Sequence, residues 1–490
     1  MTLKTKLNNW MVILLLNLSF LLLLPQTSFA QDNWEDITNN MQEPVSEVQL
    51  PDASIVIDAH NGQVLWEKNT EKAHDPAALT MLMTVYLTME KIQDNTFSLD
   101  TTVTATAEDE AIAQLQTMSN NNVVTGVNYQ MEDLLKLAFT PTSNVAILML
   151  SRMVDKDPDQ FIEHMNTKAS ELGMTNTKYF NATGIPASTF EGNYLLTNYD
   201  NAAYNQTTAA DLALLTYHLL KNFPEIIDWT KETETTVLPD SLYEETFTTN
   251  NQALTSQAYP LDGLDGLLFF ENGQINHYVT TVKRNGMRLI SVFLNANGPD
   301  EGSTFRLNNT LLNKLFEKYE YKEILTAGKQ KINNQTVNVT HDFYGVVLKE
   351  TEPTFELSED KISLKNSLPL VSNTIDPLEV EYEDARSNVE KNIEENRLVT
   401  WLLETIEITK TTILAIGFTL LGIIFLLMSL FIPRRKKVEK TSRPLESEIT
   451  SRREKQKSQK QTWPIKETIL FIGSSCFIVG IIMLLIHHLL

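Results

Sequence analysis

Two strand-like runs flank a tight turn in the segment SIVIDAHNGQVLWE, residues 54–67. The first run, residues 54–58, is apolar and β-branched, and the second, residues 63–67, returns with similar character. Between them Asn61-Gly62 favours a two-residue hairpin turn, because both residues tolerate a positive φ. The segment therefore predicts a β-hairpin, with ordered structure beginning at about Ala53.

Helical patterns alternate with strand patterns downstream of the hairpin. Pro76 precedes a run of Ala, Leu and Met at 77–92, and proline suits a helix start because its missing N–H is not needed there. Residues 131–153 and 159–172 also carry helical spacing, whereas 286–294 is typical of a turn into a buried strand. We therefore expect an α/β domain over residues 51–320, in which helices flank an antiparallel sheet.

The segments on either side of this domain differ in character. Residues 31–50 are acidic and polar without periodicity, and are predicted to form a flexible lead-in. From 321 to 378, short runs of Val, Ile, Thr and Phe alternate with turn residues, which is typical of a small β-domain. Residues 379–410 are charged and helix-like, and we expect a stalk or membrane-proximal helix there.

Apolar segments at both ends of the chain predict export and membrane anchoring. Residues 1–30 combine two lysines, an apolar run and a small-residue ending, which is typical of a cleaved signal peptide, with an uncleaved anchor as the alternative. Residues 411–432 and 467–490 are each long enough to cross a hydrocarbon core of ~30 Å as helices. Together they predict a C-terminal transmembrane hairpin.

The loop between the two predicted spans, residues 433–466, is strongly basic. It carries 12 Lys and Arg residues against 4 Glu. The positive-inside rule therefore assigns this loop to the cytoplasm and the chain from 31 to about 410 to the outside of the cell membrane. Two roles for the loop stay open, one that only sets the topology and one that docks a cytoplasmic partner.

Composition excludes several functions. The formal net charge of -22 argues against nucleic-acid binding, because phosphate recognition needs a basic surface. The single cysteine, Cys476, lies in an apolar run and permits no intramolecular disulfide or cysteine-based metal site. The histidines show no H-E-x-x-H or paired ligand spacing. We therefore expect neither a metal nor a cofactor.

The hairpin and the helix after it resemble the opening of a known enzyme family. Further matching segments follow in the family's order. The matches are Ile57 to Asn69, Asp75 to Thr84, Asp133-Leu134-Leu135, Thr142-Ser143-Asn144, Leu172-Gly173-Met174, Asn181-Ala182-Thr183-Gly184, Thr208 to Leu212, Asp262-Gly263-Leu264 and Lys283 to Ile290. Over residues 50 to 320 the chain is similar to the low-molecular-weight penicillin-binding proteins of the D-alanyl-D-alanine carboxypeptidase family. The predicted membrane hairpin departs from the single amphipathic anchor helix usual in that family.

The resemblance implies a β-lactamase/transpeptidase-like domain and three motifs for acyl transfer by a serine. In the first, Pro-Ala-Ser-x-x-Lys, a lysine one helical turn after the serine takes its proton. The matching positions here are Ala78 and Met81, so neither the nucleophile nor the base is present. Loss of a serine nucleophile costs on the order of 10^6-fold in rate. Thr80 and Thr84 are nearby hydroxyls, and we expect them to pack within the helix.

The second motif, Ser-x-Asn, supplies a hydroxyl for proton relay and an amide for the substrate. Thr142, Ser143 and Asn144 stand at its place. Thr142 keeps a hydroxyl and Asn144 keeps the amide, so this motif is the least altered. Two roles for Asn144 stay open, substrate binding and a cap or brace for the following helix.

The third motif, Lys-Thr-Gly, offers a cation to the terminal carboxylate of the peptide. This chain has Asp265, Gly266 and Leu267 there, so an anion replaces the cation. At ~4 Å and an effective dielectric near 20 one charge pair is worth about 4 kcal/mol, and we expect a carboxylate to be disfavoured by up to ~8 kcal/mol. One Ser-x-x-Lys occurs elsewhere, Ser358 to Lys361, in a region without helical pattern, and we interpret it as a chance match.

The sequence therefore predicts a catalytically degenerate relative of the D-alanyl-D-alanine carboxypeptidases. Its expected role is non-catalytic, through binding of a membrane or cell-wall synthesis protein or of a peptidoglycan peptide. Two alternatives stay open, an active serine carboxypeptidase with an unrecognised nucleophile, and a membrane signalling or scaffold protein acting through the basic loop.

Overall fold

The computed structural model of the chain describes residues 33–39, 41, 47–255, 259–271, 275–297, 302–385, 410–430, 474 and 478. The chain divides into one unit that ends at Asp384 and a second that begins at Ala385. The first unit contains a central antiparallel sheet with helices on both faces, followed by a small β-domain. This is the α/β architecture that the sequence predicts.

Strands recur along the whole first unit. In chain order they are β1 Ala53–Asp58, β2 Val64–Lys68, β3 Thr102–Thr104, β4 Asn128–Gln130, β5 Glu234–Val237, β6 Glu245–Thr248, β7 Leu264–Glu271, β8 Asn276–Arg284, β9 Met287–Ala296, β10 Tyr319–Leu325, β11 Gly328–Ile332, β12 Gln335–Val339, β13 Phe343–Leu348, β14 Phe355–Leu357, β15 Lys361–Leu364 and β16 Glu379–Asp384. The central sheet has the order β2-β1-β9-β8-β7, and each neighbouring pair is antiparallel. The predicted hairpin is therefore confirmed as β1 and β2.

Most of the helices lie between the second and the seventh strand. In chain order the α-helices are α1 Trp34–Thr38, α2 Met81–Gln93, α3 Ala107–Ala113, α4 Met131–Phe139, α5 Asn144–Val154, α6 Pro158–Leu172, α7 Ala209–Asn222, α8 Ile226–Thr230, α9 Gln252–Thr255, α10 Ser303–Lys318 and α11 Lys410–Leu430. Short 3₁₀ turns cover Glu47–Gln49, Ala77–Thr80 and Ala187–Phe190. The helix predicted at 77–92 thus begins with a 3₁₀ turn before it becomes α2.

The single helix predicted over 131–153 is two helices. The first, α4, ends at Phe139, and α5 begins at Asn144. Pro141 lies between them, and proline both lacks the N–H that a helix needs and disfavours a helical residue before it. The break matters for function because it creates a helix start at α5, which carries the second family motif.

The two faces of the central sheet bury two different cores, because successive side chains of a strand point to opposite sides. On β1, Ile55 and Ile57 join the core formed with α2, α5 and α7. Val56 joins a second core, to which α10 contributes Phe305 and Leu311. The sheet is therefore a middle layer between two helical layers.

The expected flexible lead-in over residues 31–50 is wrong for its ordered part. Helix α1 lies at 34–38 and buries Trp34 and Ile37, three residues apart and so on one helix face. The Trp34 ring meets Trp66 edge-on, with ring centroids 4.7 Å apart. The sequence pattern did not indicate this helix, because its two buried apolar residues lie in an acidic stretch without periodicity.

The β-domain extends beyond the predicted end at 378. Its sheet has the order β11-β12-β16-β15-β14, so β16 at 379–384 is a central strand. The helix expected to begin at 379 is therefore wrong for these residues, because Val380 is buried in the β-domain core. The rest of that predicted stalk, residues 386–409, lies outside the described residues.

The predicted anchors are only partly described. A helix, α11, covers 410–430 within the first predicted span. Within the described ranges, a search for helices long and apolar enough to cross a membrane finds none. The signal peptide at 1–30, the basic loop at 433–466 and the second span at 467–490, apart from residues 474 and 478, lie outside the described residues.

Candidate functional site

The first motif lies where the 3₁₀ turn passes into α2. Ala78 and Met81 are 7% and 2% exposed, and both belong to the main hydrophobic core. An alanine methyl and a thioether supply neither a nucleophile nor a base. The structure therefore places apolar packing at both positions.

Polar contacts fix this turn from the opposite side. Thr80 accepts a hydrogen bond from the Asn205 side-chain amide at 3.0 Å, and Thr84 donates to the Ala182 carbonyl at 2.9 Å. Gly184 lies directly against the turn, since a Cβ at its position would be 1.8 Å from the Ala77 carbonyl oxygen. The prediction that the two threonines pack or back-bond within the helix is wrong for their hydroxyls, because both bond to residues outside the helix.

The second motif begins α5, and its three residues have separate roles. Ser143 is the N-cap, accepting from the Ala146 N–H at 3.3 Å and donating to the Asn121 side chain at 2.7 Å. Thr142 donates its hydroxyl to the Pro141 carbonyl at 2.7 Å. The cap role, one of the alternatives for Asn144, is therefore wrong, because Ser143 caps the helix.

Asn144 instead braces the loop before the helix. Its side-chain N–H₂ donates to the Ser119 carbonyl at 2.8 Å. Its side-chain oxygen is buried and accepts no hydrogen bond from any described residue. A buried acceptor without a donor is costly, so this oxygen marks a place where a donor is missing.

The third motif lies on β7, where Asp265 has a partner that the sequence analysis did not predict. The Asp265 carboxylate is 2.8 Å from an Arg288 guanidinium nitrogen and accepts from the Thr281 hydroxyl at 2.5 Å. Both charged side chains are 17% exposed. The expected net repulsion of a carboxylate is therefore wrong, because a cation is present beside Asp265 and neutralises it.

Arg288 comes from β9, two strands away from β7 in the sheet. Strand pairing sets it opposite Lys283 of β8, close to the position where Leu264 of β7 pairs with Val282. The 283–290 segment was recognised only as a family match. The signal that could have revealed the ion pair is the sharp β8–β9 turn at Asn285-Gly286, which fixes this register.

The edge of β7 at this motif is covered by the chain itself. Thr230, at the end of α8, donates its hydroxyl to the Asp265 carbonyl at 3.0 Å. A Cβ on Gly266 would lie 2.3 Å from the Thr230 hydroxyl oxygen, and Leu267 is buried in the core. An extended ligand chain cannot pair with the strand at a carbonyl that is already engaged without first displacing Thr230.

The fold brings the three motif positions together. The 3₁₀ turn with Ala78 contacts β7, and α2 with Met81 packs against α5. All three motifs retain an unusual backbone, since φ is 45° at Ala77, 53° at Thr142 and 137° at Gly266. Non-glycine residues with positive φ are strained, and such strain concentrates at functional sites.

The remaining candidates do not form a site. Ser358 donates to the Lys361 carbonyl at 3.1 Å, and the Lys361 amine pairs with Glu379, so the Ser-x-x-Lys there is part of a β-turn. In the described ranges no cluster of three or more His, Cys, Asp or Glu side chains has metal-binding geometry.

Comparison with known sequences identifies two regions. The family profile described as D-alanyl-D-alanine carboxypeptidase matches residues 39–298, more than half of the chain. A second profile, a domain of unknown function (DUF1958), matches residues 321–383, which is the observed β-domain. D-alanyl-D-alanine carboxypeptidase DacF of Bacillus subtilis is 25% identical over 338 residues, 67% of this chain and 78% of that protein. DacC of Escherichia coli is 28% identical over 280 residues, 57% of this chain and 62% of that protein.

Solved structures support the fold. A peptidoglycan synthesis regulatory factor (PBP3) from Streptococcus pneumoniae has a TM-score of 0.59 at 22% identity, covering 68% of this chain and 98% of that chain. Penicillin-binding protein 5 from Haemophilus influenzae has a TM-score of 0.54 at 18% identity, covering 70% of this chain and 98% of that chain. At these identities the likeness concerns the fold alone.

Proposed function

The chain belongs to the D-alanyl-D-alanine carboxypeptidase family, and on that premise we propose that it is a non-catalytic member that acts in cell-wall metabolism by binding a protein partner. The observation that carries this proposal is the internal ion pair between Asp265 and Arg288. At the position where the family pattern has Lys-Thr-Gly, the Asp265 carboxylate pairs with the Arg288 guanidinium, so this cation is not available to a ligand.

Acyl transfer by serine needs a nucleophile with an adjacent base. Ala78 and Met81 provide neither, and both side chains are buried. The nearest hydroxyls, Thr80 and Thr84, are already engaged in hydrogen bonds with Asn205 and Ala182. These facts support a chain without peptidase chemistry.

The same geometry favours a protein partner over a peptidoglycan peptide. A peptide ending in a free carboxylate needs an available cation, and Arg288 already pairs with Asp265. An extended peptide also needs a strand edge, and the Asp265 carbonyl already accepts from Thr230. A folded partner instead recognises an outer surface and needs neither group.

The proposed location follows from the ends of the sequence. We infer a signal peptide at 1–30, a membrane hairpin formed by 411–432 and 467–490, and a basic cytoplasmic loop at 433–466. The domain and the β-domain would then lie outside the cell, where cell-wall proteins are within reach. Protease added to protoplasts should digest the exported part and spare the loop, and cleavage of the loop would overturn the topology.

Labelling with a fluorescent penicillin tests the absence of chemistry. The full-length protein should form no covalent adduct under conditions that label an active D-alanyl-D-alanine carboxypeptidase. It should also release no D-alanine from a pentapeptide. A stoichiometric mass shift with a β-lactam would establish the alternative, an active carboxypeptidase.

A second alternative is a signalling or scaffold protein that acts through the basic loop. Crosslinking in cells followed by identification of captured proteins separates the two. Deletion of 433–466 with both spans retained should leave the partner of the exported part in place. Loss of every captured protein on that deletion would favour the loop as the functional element.

A further inference from the structure

A polar cavity of about 410 Å³ lies where the β8–β9 turn, α10 and β10 meet, at the junction of the two domains of the first unit. We call it the junction pocket, and Arg284, Asn285, Asn313, Phe316, Glu317 and Lys349 are among its walls. Its volume lies within the range of small-molecule sites in proteins. It is distinct from the family motif positions, which lie near the opposite face of the sheet.

A fixed guanidinium forms one wall. Arg284 donates from Nε to the Asp262 carbonyl at 2.6 Å and from Nη1 to the Asn313 side-chain oxygen at 2.8 Å. Its Cζ atom lies 4.7 Å from the centre of the Phe316 ring. Three contacts hold the group rigid, while its Nη2 makes no hydrogen bond to any residue that the structure describes. The wall therefore presents a preorganised donor beside an apolar ring.

Further donors and acceptors face solvent. Because the Asn313 oxygen accepts from Arg284, its N–H₂ group is left as a donor. In the described ranges the side chains of Asn285 and Glu317, both exposed, have no hydrogen-bond or ion-pair partner. Among the residues that the structure describes, the cavity thus combines unpartnered amide and carboxylate groups with one guanidinium nitrogen, Nη2 of Arg284, beside an aromatic ring.

The charges of the walls balance. Arg284 pairs with Asp262 at 3.8 Å and Glu320 pairs with Lys322 at 2.6 Å, which leaves one cation, Lys349, and one carboxylate, Glu317, on the walls. A site for an anion would need uncompensated positive charge, and a site for a cation the reverse. A saccharide fits this arrangement, because each hydroxyl donates and accepts at once and the C–H face of a sugar ring packs on an aromatic or guanidinium plane.

We propose that the junction pocket binds a neutral saccharide of one or two rings. This goes beyond the proposed function, since it concerns another cavity and does not depend on the loss of catalysis.

Saturation-transfer NMR on the full-length protein with N,N′-diacetylchitobiose tests the proposal. Glu317→Ala and Asn313→Ala should each weaken binding at least fivefold, whereas Glu356→Ala, an exposed glutamate of β14, should leave it unchanged. Binding should also be insensitive to salt between 50 and 500 mM, values chosen for the assay, because a neutral ligand is not screened. Absence of transfer, or equal transfer in all three variants, would overturn the proposal. Binding of trialanine in place of the disaccharide, with the same sensitivity to the variants, would overturn the saccharide class in favour of a peptide.

Discussion

The motif site, formed by Ala78, Met81, Asn144 and Asp265 with their contacts, differs from the junction pocket in what its polar groups bind. Both depend on β8, since Thr281 contributes to the motif site and Arg284 to the junction pocket. The two residues are three apart on the strand and so face opposite sides of the sheet. At the motif site nearly every polar group has a partner within the chain. At the junction pocket several have none among the residues that the structure describes.

This difference separates a site whose polar groups are engaged within the chain from a site whose polar groups are available to a ligand. At the motif site φ is positive at Ala77 and Thr142, most polar groups are hydrogen-bonded within the chain, and Ala78 and Met81 are apolar. Unused polar groups on a rigid frame are what a ligand requires. The comparison therefore directs the search for ligands away from the motif site.

The largest expected effect comes from rebuilding the motifs. Ala78→Ser with Met81→Lys should give no β-lactam acylation, because Asp265 still holds Arg288. Adding Asp265→Lys, Gly266→Thr and Leu267→Gly should also fail, because a Cβ at 266 would lie 2.3 Å from the Thr230 hydroxyl oxygen. Thr230→Gly should be needed as well. Stopped-flow acylation rates measure the outcome, against a span on the order of 10^6-fold set by a serine nucleophile.

Acylation by the two-residue variant alone would contradict this expectation. It would mean that neither the Asp265–Arg288 ion pair nor the contact of Thr230 with β7 blocks access of the β-lactam to the motif site. The six-residue variant without its Ala78→Ser change is the matched control, since it should fold equally and never acylate.

Acid should lower the free energy of unfolding of the domain that contains both regions, because the buried His277 lies on β8, which contributes residues to each. Burial lowers the pKa of His277 to about 4, and its Nδ1 accepts from the Asn295 N–H at 3.2 Å. Between pH 6.5 and 4 the unfolded chain takes up a proton that the folded chain refuses. The free energy of unfolding should therefore fall as the pH drops through this window, by up to about 3 kcal/mol.

Urea denaturation of the wild type and of His277→Asn at several pH values measures this contribution. Asparagine keeps an acceptor near the position of Nδ1 but does not titrate, so the difference between the two proteins should change with pH only in that window. A constant difference would show that His277 does not titrate with a lowered pKa.

The ion pair at the motif site should contribute measurably to stability. Asp265→Ala leaves the Arg288 guanidinium partly buried without its carboxylate, and should lower the free energy of unfolding by roughly 2 kcal/mol. Adding Arg288→Met should restore part of this loss. The control is Asp228→Ala, which removes an ion pair with Lys231 whose side chains are 71% and 49% exposed, so the loss of stability should be much smaller. Equal effects at the two pairs would mean that Asp265 and Arg288 are solvated in solution.

The sequence predicted the backbone of the first unit better than the contacts of its site. Local signals placed the β1–β2 hairpin at Asn61-Gly62 and the start of α2 after Pro76, because turns and helix starts depend on neighbouring residues. The pairing of Asp265 with Arg288 was missed because it depends on the register of three strands. The contact of Thr230 with Gly266 was missed because 36 positions separate them in the chain. Helix α1 was missed since only two apolar residues mark it.

The smallest expected effect tests whether the motif site still stores strain. Ala77 has φ of 45°, a conformation that glycine adopts without the penalty of a Cβ. Ala77→Gly should therefore raise the free energy of unfolding by about 1 kcal/mol, the relief of strain exceeding the entropy that glycine adds to the unfolded chain. Ala78→Gly is the matched control, because Ala78 has no positive φ in the same turn and buries its methyl, so it should lose about 1 kcal/mol. Opposite signs at adjacent alanines would tie the effect to backbone conformation rather than to packing. If Ala77→Gly also lowers the free energy of unfolding, the positive φ at Ala77 does not strain the turn.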